Sequence, residues 1–415
     1  MRQTALFSKT RREDPKDEVA KNARLLTRAG FIHKELAGVY SFLPLGLKVV
    51  EKINKIIREE MDTLGGQEVS LSHLQDPEVW QKTNRWDDEA VDIWFKTKLK
   101  NDSELGLNFT NEEPITRLAK DHIQSYRDLP TYLYQIGRKF RNETRAKSGI
   151  LRGREFLMKD LYSFHVDAAD LDKFYEQAKQ AYVNIFTRVG LGDLTYITFA
   201  SGGVFSQFSH EFQTLCPAGE DTIYYAEAKK LAVNKEVYTD EVLAQVGLER
   251  SELEEGKAIE VGNIFKLGTR FSEALDLYYL DESGKKHFVV MGSYGIGPER
   301  LMGTVVEALA KETGLVWSKA IAPFTLHLVR LSDEDEATRT EADNLYNELI
   351  KRGVEVLYDD RTLSTGEKLA DADLLGLPLR VIVSKRNREA GQVEVVNILT
   401  SETKTVTRDE LYELV

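Results

Sequence analysis

Residues 137–164, GRKFRNETRAKSGILRGREFLMKDLYSF, place eight lysines and arginines in one short stretch of an acidic chain. The whole sequence contains 68 acidic and 56 basic residues, a formal net charge of −12. Because such a chain repels anions over most of its surface, this local concentration of cations indicates a polyphosphate-binding site. The apolar residues between the cations predict two half-buried strands, joined by a turn at Lys147-Ser148-Gly149.

Length and composition indicate a globular protein with more than one domain. The 415 residues suffice for two or three cores, and 42% of them are hydrophobic. The single cysteine, Cys216, excludes an intramolecular disulfide and a CxxC zinc site, and it favours a reducing compartment. No stretch of the sequence reaches the roughly 20 uninterrupted apolar residues of a membrane span. The first residues carry several acids without a long apolar core, so we expect a cytoplasmic protein.

Two strongly periodic segments predict helices within a mixed α+β domain over residues 1–320. Residues 47–64 repeat apolar positions every three or four residues. Residues 168–189 show the same repeat, with Asp167 as a candidate N-cap and Gly190 just beyond the end. Strand-like runs at 133–136, 194–199 and 288–291 predict a sheet that these helices cover.

The pattern changes near the carboxyl end, where residues 321–415 alternate strand and helix and predict a separate α/β domain. A helix is predicted to begin at Ser364, with Glu367 in capping-box register. The other predicted elements of this domain are strands at 324–331, 354–358 and 379–383 and a polar helix at 334–352. Residues 226–260 are rich in charge, with one weak helical pattern at 240–246, and we interpret them as a surface connector.

Nucleotide binding by this chain must depend on side chains. The Walker phosphate loop, the paired histidines of metalloproteases and the Gly-Xaa-Ser-Xaa-Gly elbow are all missing from the sequence. Arg141 and Glu143 stand two apart, so on a strand both point to one face, where they can bind a phosphate and an amino group. Arg152, Arg154 and Phe156 share a face in the same way, and the ring can stack on a base. The alternative interpretation is a solvated ion-pair network.

A second element lies at 292–302, GSYGIGPERLM, after the predicted strand and before an apolar helix predicted at 301–309. Glycines permit close approach of the backbone to a ligand, and Arg300 falls on the first helical turn. A tight turn between strand and helix explains these glycines equally well. The stretch is not the dinucleotide fingerprint, because Arg300 occupies the third glycine position.

In this order, the motifs resemble those of the bacterial and mitochondrial prolyl-tRNA synthetases, a family of class II aminoacyl-tRNA synthetases. The resemblance covers almost the whole chain. Its motifs are GVYSFLPLG at 38–46, TNEE at 110–113, FRNE at 140–143, RGREFLMKDLYSFH at 152–165, SHEFQ at 209–213, EVGNIFKLGTRFS at 260–272, YGIG at 294–297 with Arg300, and LYDDR at 357–361. It implies a catalytic domain with a mostly antiparallel sheet flanked by helices, and a C-terminal α/β anticodon-binding domain.

The family's reaction joins proline to tRNA(Pro) through a prolyl-adenylate, with ATP as substrate and Mg²⁺ as cofactor. The resemblance implies these catalytic and ATP-binding roles: Arg141 on the α-phosphate, Glu143 on the adenine amino group, Arg152 on the outer phosphates, and Phe156 and Arg300 on either side of the adenine. It implies that the proline site contains Thr110 and Glu112 on the ammonium and Met158, Asp160, Tyr162 and His210 as walls. Glu211 is the candidate Mg²⁺ ligand.

The resemblance also implies RNA contacts and a homodimer. The candidate anticodon contacts are Arg361, Lys368, Lys385 and Arg386, and Arg145 is the candidate contact for the acceptor end. For each of them, a solvated basic residue is the alternative.

Two departures from the family pattern lead to further expectations. The family's motif 1 ends in a proline that supports the dimer, and Ser72 stands in the corresponding stretch here. Most bacterial relatives carry an editing domain between SHEFQ and YGIG, where this chain has only residues 226–260, so we expect no hydrolysis of mischarged tRNA in cis. Two alternatives are a catalytically silent paralogue and a class II synthetase for threonine, serine, glycine or histidine.

Overall fold

The computed structural model of the protein describes residues 1–144, 148–203, 208–331 and 334–415. The chain divides into two compact units. The first contains residues 1–35, 40–53 and 305–415, and the second contains residues 36–39 and 54–304. The domain boundary expected near residue 320 stays a prediction.

The helices of the described residues, in chain order, are α1 (Lys21–Arg28), α2 (Pro44–Thr63), α3 (Pro77–Gln81), α4 (Glu112–Lys120), α5 (Ala168–Val189), α6 (Asp240–Val246), α7 (Arg270–Leu275), α8 (Pro298–Leu309), α9 (Glu336–Lys351), α10 (Thr365–Leu375), α11 (Lys385–Glu389) and α12 (Arg408–Leu414). The strands are β1 (Ile32–Leu36), β2 (Val39–Phe42), β3 (Gln67–Glu68), β4 (Leu74–Gln75), β5 (Phe95–Lys98), β6 (Glu104–Leu107), β7 (Thr131–Phe140), β8 (Glu155–His165), β9 (Thr195–Ser201), β10 (Phe208–Leu215), β11 (Asp221–Ala226), β12 (Leu231–Asn234), β13 (Glu254–Gly268), β14 (Tyr278–Leu280), β15 (Lys286–Phe288), β16 (Val290–Ile296), β17 (Leu326–Arg330), β18 (Val356–Asp359), β19 (Leu379–Val383), β20 (Val393–Asn397) and β21 (Thr403–Val406).

The second unit is built on a sheet whose described strands run in the order β10-β9-β12-β11-β13-β16-β8-β7-β3. Among its described pairings, only β9 with β12 and β3 with β7 are parallel. The two strands predicted from residues 137–164 pair antiparallel as β7 and β8, with Phe140 opposite Glu155 and Thr131 opposite Phe164. This confirms the mostly antiparallel sheet of the expected fold class.

The helix predicted over 168–189 is confirmed as α5, which packs on this sheet. Its N-cap is Asp167, whose carboxylate accepts a hydrogen bond from the Asp170 amide, and it ends at Gly190 in the left-handed region with φ 97°. Apolar side chains two helical turns apart, such as Phe174 and Tyr182, are buried against the strands. The helix predicted over 47–64 is likewise confirmed as α2.

Two parts of the second unit differ from the sequence-based expectation. Of the strand predicted at 288–291, Phe288 ends β15, and Val290 begins β16, which continues through Gly292 and Gly295. These two glycines therefore do not form a turn, and Gly297 lies between β16 and α8. A Cβ on Gly292 would lie 2.5 Å from the Tyr294 hydroxyl, which explains why the strand needs glycine there. Residues 226–260 supply β12 and the start of β13 to the sheet and are therefore more than a connector, because Val233 and Leu243 are buried in a common apolar cluster. The weak helix expected at 240–246 is confirmed as α6.

In the first unit, a sheet with the order β18-β17-β19-β20-β21 confirms the α/β pattern expected near the carboxyl end. The capping box of Ser364 and Glu367 is present at the start of α10. The amino terminus also belongs to this unit, since the Met1 ammonium donates to the Val356 carbonyl at 2.8 Å. No pattern in the sequence indicates this pairing. Of the helices in the described residues, none combines the length and apolar character needed to cross a membrane.

His327 on β17 makes the stability of the first unit sensitive to acid. The ring is 1% exposed, its Nε2 lies 3.1 Å from Gln3 Oε1, and burial lowers its pKa to about 4. A histidine with a depressed pKa in the folded state loses stabilisation as pH falls below its unfolded value of about 6.5. Lowering the pH from 7.5 to 5.5 should therefore cost this group about 1.4 kcal/mol of unfolding free energy.

Urea unfolding of the wild type and of His327→Gln at both pH values measures this loss of unfolding free energy. The variant should lose less stability than the wild type on acidification. The same loss in both proteins would rule out His327 as the responsible group.

Candidate active site

A cavity of about 790 Å³ opens on one face of the nine-stranded sheet, within the second unit. The predicted site residues that line it are Thr110, Glu112, Arg141, Glu143, Arg152, Phe156, Met158, Asp160, Tyr162 and Arg300. The structure therefore brings together segments that lie far apart in the sequence.

Strand alternation explains why β8 supplies four of these side chains. Phe156, Met158, Asp160 and Tyr162 stand two apart, so they share the cavity face of the sheet. On the neighbouring strand, Gly295 lies opposite Asp160. Because glycine lacks a side chain, the cavity extends down to the strand backbone at this position.

Arg141 is the central cation of the cavity. Its Nε donates to the Phe109 carbonyl at 3.3 Å, and its guanidinium carbon lies 5.2 Å from the centroid of the Phe156 ring. Among the residues that the structure describes, no carboxylate forms an ion pair with Arg141. Burial lowers its pKa, and the neighbouring charge of Arg300 lowers it further. A half-buried guanidinium in this state is suited to binding an anion.

Arg300 is held by the backbone at the start of α8. Its Nε donates to the Leu151 carbonyl at 2.8 Å, and its Nη1 donates to the Glu260 carbonyl at 3.2 Å. The Glu260 carboxylate is only a distant partner, at 3.5 Å from Nη1. The strand and the helix therefore fix a second cation beside Arg141.

Arg152 and Glu143 are paired with each other in this structure. The Nη2 and Nε atoms of Arg152 lie 2.9 and 3.2 Å from Glu143 Oε2, and its Nη1 lies 3.4 Å from Glu220. Arg154 points elsewhere, because its guanidinium donates to the carbonyls of Glu143 and Ala37. The expectation that Arg154 shares a face with Arg152 is wrong, since β8 begins only at Glu155.

Carboxylates gather at the other side of the cavity. Glu112 Oε2 accepts from the Thr110 hydroxyl at 2.7 Å, and Oε1 accepts from the Tyr162 hydroxyl at 3.2 Å. Burial and the nearby Glu112 raise the pKa of Tyr162, which keeps this hydroxyl protonated as a donor. Asp160 accepts from the Asn111 amide at 2.8 Å and lies 2.8 Å from the buried Lys139 ammonium.

Other lining residues have no role in the sequence-based prediction. Glu260, Asn263, Phe265 and Arg270 belong to the quoted stretch EVGNIFKLGTRFS, to which no individual roles were assigned. Arg85 also lines the cavity, and its sequence context contains no motif that could have identified it.

His210 lies outside this cavity, contrary to the expectation that it forms a wall of the site. On β10 it is opposite Ile264 of β13, while Asn263 of β13 lines the cavity, so His210 points to the other face of the sheet. There its Nδ1 lies 2.9 Å from the Tyr175 hydroxyl on α5. Burial lowers its pKa to about 4, as for a structural histidine in a core.

Glu211, the candidate metal ligand, lies opposite Asn263 and therefore faces the cavity side of the sheet. Its Oε2 accepts from the Gln213 amide at 2.8 Å. Burial raises the pKa of Glu211, and the negative charge of Glu260 raises it further. Two carboxylates that repel each other suit a divalent cation, although the described residues contain no group of three or more metal-binding side chains.

The candidate RNA contacts divide into three groups. Lys368 is fully buried and donates to the Arg330 carbonyl at 2.8 Å, so its prediction is wrong because an enclosed ammonium cannot reach RNA. Arg361 is bound to Asp359 and Asp371 at 2.7 and 2.9 Å, and its side chain is only 15% exposed, which favours a structural role. Lys385 and Arg386 are exposed at the start of α11. Arg145 lies outside the described residues.

Two family models match the chain. Residues 95–309 match the class II core domain of tRNA synthetases for G, H, P, S and T, and residues 321–415 match an anticodon-binding domain. The proline-tRNA ligase of Bacillus cytotoxicus is 35% identical to this chain, over 99% of both proteins. That of Bacillus cereus is 34% identical, over 99% of this chain and 98% of the ligase. The alignment with the Bacillus cytotoxicus ligase has 561 positions against 415 residues here, so at least 146 positions have no counterpart in this chain.

Solved structures share the fold. A prolyl-tRNA synthetase from Cryptosporidium parvum, in complex with halofuginone and AMPPNP, has a TM-score of 0.78 at 17% identity, covering 94% of this chain and 75% of that one. One from Giardia lamblia, in complex with prolyl-adenylate, has a TM-score of 0.76 at 19% identity, covering 93% and 74%.

The repulsion at Glu211 leads to a stability prediction. A carboxyl group whose pKa is raised in the folded state stabilises the protein only at low pH, and this contribution is lost as pH rises through the folded value. Glu211→Gln keeps an acceptor for Gln213 and removes the charge, so it should raise the melting temperature at pH 8 in buffer without divalent cations, and should have little effect at pH 4.5. Calorimetry of this variant and of the exposed control Glu104→Gln measures the effect. A lower melting temperature for Glu211→Gln at pH 8 would contradict the prediction.

Proposed function

Since the chain belongs to the proline-tRNA ligases, a family of class II aminoacyl-tRNA synthetases, we propose that its cavity carries out both steps of the family's reaction. The enzyme ligates proline to tRNA through prolyl-adenylate and uses ATP. In the first step, a proline carboxylate oxygen attacks the α-phosphorus and pyrophosphate leaves. In the second step, the terminal ribose hydroxyl of tRNA attacks the acyl carbon and AMP leaves.

The observation that carries the proposal is the guanidinium of Arg141, which lies beside Arg300 and forms no ion pair with a carboxylate of the described residues. Charge on the α-phosphoryl oxygens has to be stabilised during the first step, and fixed cations supply this stabilisation without reorganisation. Arg141 binds the α-phosphate, and Phe156 and Arg300 enclose the adenine. Arg152 and Glu143 exchange their mutual ion pair for the outer phosphates and the adenine amino group.

The carboxylate side of the cavity binds the secondary ammonium of proline. At formal charge, Glu112, Glu113 and Asp160 carry three negative charges against two positive charges on Arg85 and Lys139. The excess negative charge favours a cationic amine. Thr110 and Glu112 accept or orient that amine, and Met158 and Tyr162 form walls of the pocket. His210 is not included, because it faces the other side of the sheet.

Mg²⁺ completes the site in our proposal. Glu211 and Glu260 provide carboxylates that repel each other, and Mg²⁺ in nucleotide sites uses one or two carboxylates together with substrate phosphates and water. When bound, the ion neutralises charge on the phosphates of ATP.

The RNA and dimer contacts rest on the family pattern. We propose that residues 321–415 bind the anticodon region, with the exposed Lys385 and Arg386 on phosphates.

We also propose a homodimer, although Ser72 stands where the family's motif 1 has a proline. The purified protein should therefore sediment as a dimer at micromolar concentration, and a monomer would contradict this part of the proposal.

Arg141→Ala tests the phosphate site. The variant should lose proline-dependent exchange of pyrophosphate into ATP by roughly a hundred- to a thousandfold, because a charged contact to the transition state is removed. Its far-ultraviolet circular dichroism should match that of the wild type. The control is Arg117→Ala, whose side chain is 62% exposed in an ion pair with Asp76.

Near-normal exchange by Arg141→Ala would refute its assignment. Repeating the wild-type assay with a panel of amino acids separates the proposal from its alternatives. Exchange driven by threonine, serine, glycine or histidine would indicate another synthetase, and no exchange with any amino acid would indicate a silent paralogue.

We also propose that the enzyme does not edit mischarged tRNA in cis. The chain lacks at least 146 positions of its alignment with a ligase of the family, and residues 226–260 are used in the sheet. Alanyl-tRNA(Pro) should therefore lose its alanine no faster with the purified enzyme than by spontaneous hydrolysis. The loss of acid-precipitable label measures this rate. Deacylation well above a no-enzyme control would overturn this prediction.

A further inference from the structure

Arg85 is a cation that the proposed reaction does not use, although it lines the cavity. Its side chain is only 8% exposed. The guanidinium carbon lies 5.3 to 5.5 Å from the ring centroids of Trp80, Phe109 and Phe271. Because burial of a guanidinium is costly, this position requires strong compensation from its partners.

The backbone directs Arg85 into the cavity at the end of α3. The Arg85 amide donates to the Trp80 carbonyl at 3.0 Å, and the Asn84 amide donates to the Gln81 carbonyl at 3.1 Å. Asn84 adopts φ 58°, the left-handed conformation that ends helices in this manner. The Trp94 indole donates to the Arg85 carbonyl at 2.9 Å, which fixes the turn from the other side. The location of Arg85 is therefore determined by local structure.

Two consecutive carboxylates share this cation unequally. Arg85 Nη1 lies 2.9 and 3.1 Å from the two oxygens of Glu113, but 3.4 Å from the nearer oxygen of Glu112. Glu113 also accepts from the Thr83 hydroxyl at 2.8 Å. Glu112 instead accepts from Thr110 and Tyr162. Arg85 Nη1 therefore lies nearer to Glu113 than to Glu112, and the Glu112 carboxylate has further donors in Thr110 and Tyr162.

We propose that Arg85 is a positioning residue for the imino-acid site, which fixes Glu113 and thereby leaves Glu112 oriented and charged toward the substrate amine. This inference rests on the proposed role of Glu112. Burial lowers the pKa of Arg85, but the carboxylates of Glu113 and Glu112 outweigh this effect and raise it overall. Arg85 therefore stays a cation, and it opposes the rise in the pKa of Glu113 that burial causes.

The test measures KM for proline and for ATP separately in the pyrophosphate exchange assay. Arg85→Met should raise KM for proline at least tenfold and leave KM for ATP within twofold of the wild type. The double variant Arg85→Met with Glu113→Gln should recover much of this loss, because no buried carboxylate is then left without its cation. Arg117→Met on α4, an exposed arginine, is the matched control and should leave both constants unchanged.

Glu113→Gln alone decides the matter independently if Arg85→Met does not fold. In that variant, Arg85 keeps its contact with the Glu112 carboxylate and competes with the substrate amine for it, so KM for proline should also rise. An unchanged KM for proline in Glu113→Gln would overturn the inference, and so would equal increases of both KM values in Arg85→Met.

Glu112→Gln separates this inference from the proposed function. A wild type without proline-dependent exchange, or Glu112→Gln with an unchanged KM for proline, would refute the proposed function itself. An active wild type with impaired Glu112→Gln but normal Glu113→Gln would refute only the role of Arg85.

Discussion

The guanidinium of Arg141, which has no ion-paired carboxylate among the residues that the structure describes, is the feature on which the rest of the site depends. Arg141 is kept in place by a backbone carbonyl of Phe109 and by the face of the Phe156 ring, neither of which neutralises its charge. The fold keeps a second cation, Arg300, close enough to lower the pKa of Arg141. Backbone carbonyls of Phe109, Leu151 and Glu260 hold the two guanidinium groups in place despite this repulsion, and an anion that binds between them relieves it.

The two faces of the sheet carry different side chains, one toward the cavity and the other toward α5. On β8, Asp160 and Tyr162 face the cavity, while Lys159 faces α5 and donates to the Tyr182 hydroxyl at 2.6 Å. Lys159 is fully buried, and burial lowers its pKa well below the ordinary value for lysine. Polar groups therefore lie on both faces, and strand alternation alone decides which of them can meet a substrate.

This alternation also explains how far the sequence could predict the site. The β8 side chains could be assigned because their spacing of two is visible in one stretch, whereas Arg141 and Glu143 lie beyond the end of β7 and were assigned through the resemblance of FRNE to the family motif. His210 could not be assigned in either way, because its face depends on pairing with β13, which is distant in sequence. Lys368 could not be assigned from sequence either. Its charge predicts a surface position, and only the packing of α10 shows that the side chain is buried. The position of Arg85 depends on the left-handed conformation of Asn84, which no local sequence motif predicts.

The two sides of the cavity hold groups of opposite charge that are not fully compensated. At one side the guanidinium groups of Arg141 and Arg300 repel each other, and at the other side, at formal ionisation, the negative charges of Glu112, Glu113 and Asp160 exceed the positive charges of Arg85 and Lys139. A substrate that satisfies only one side leaves the other uncompensated, whereas an aminoacyl-adenylate carries an ammonium at one end and a phosphate at the other. Because each end relieves a separate imbalance, the intermediate gains from both at once. The fixed positions of these opposite charges therefore favour retention of the adenylate until tRNA arrives.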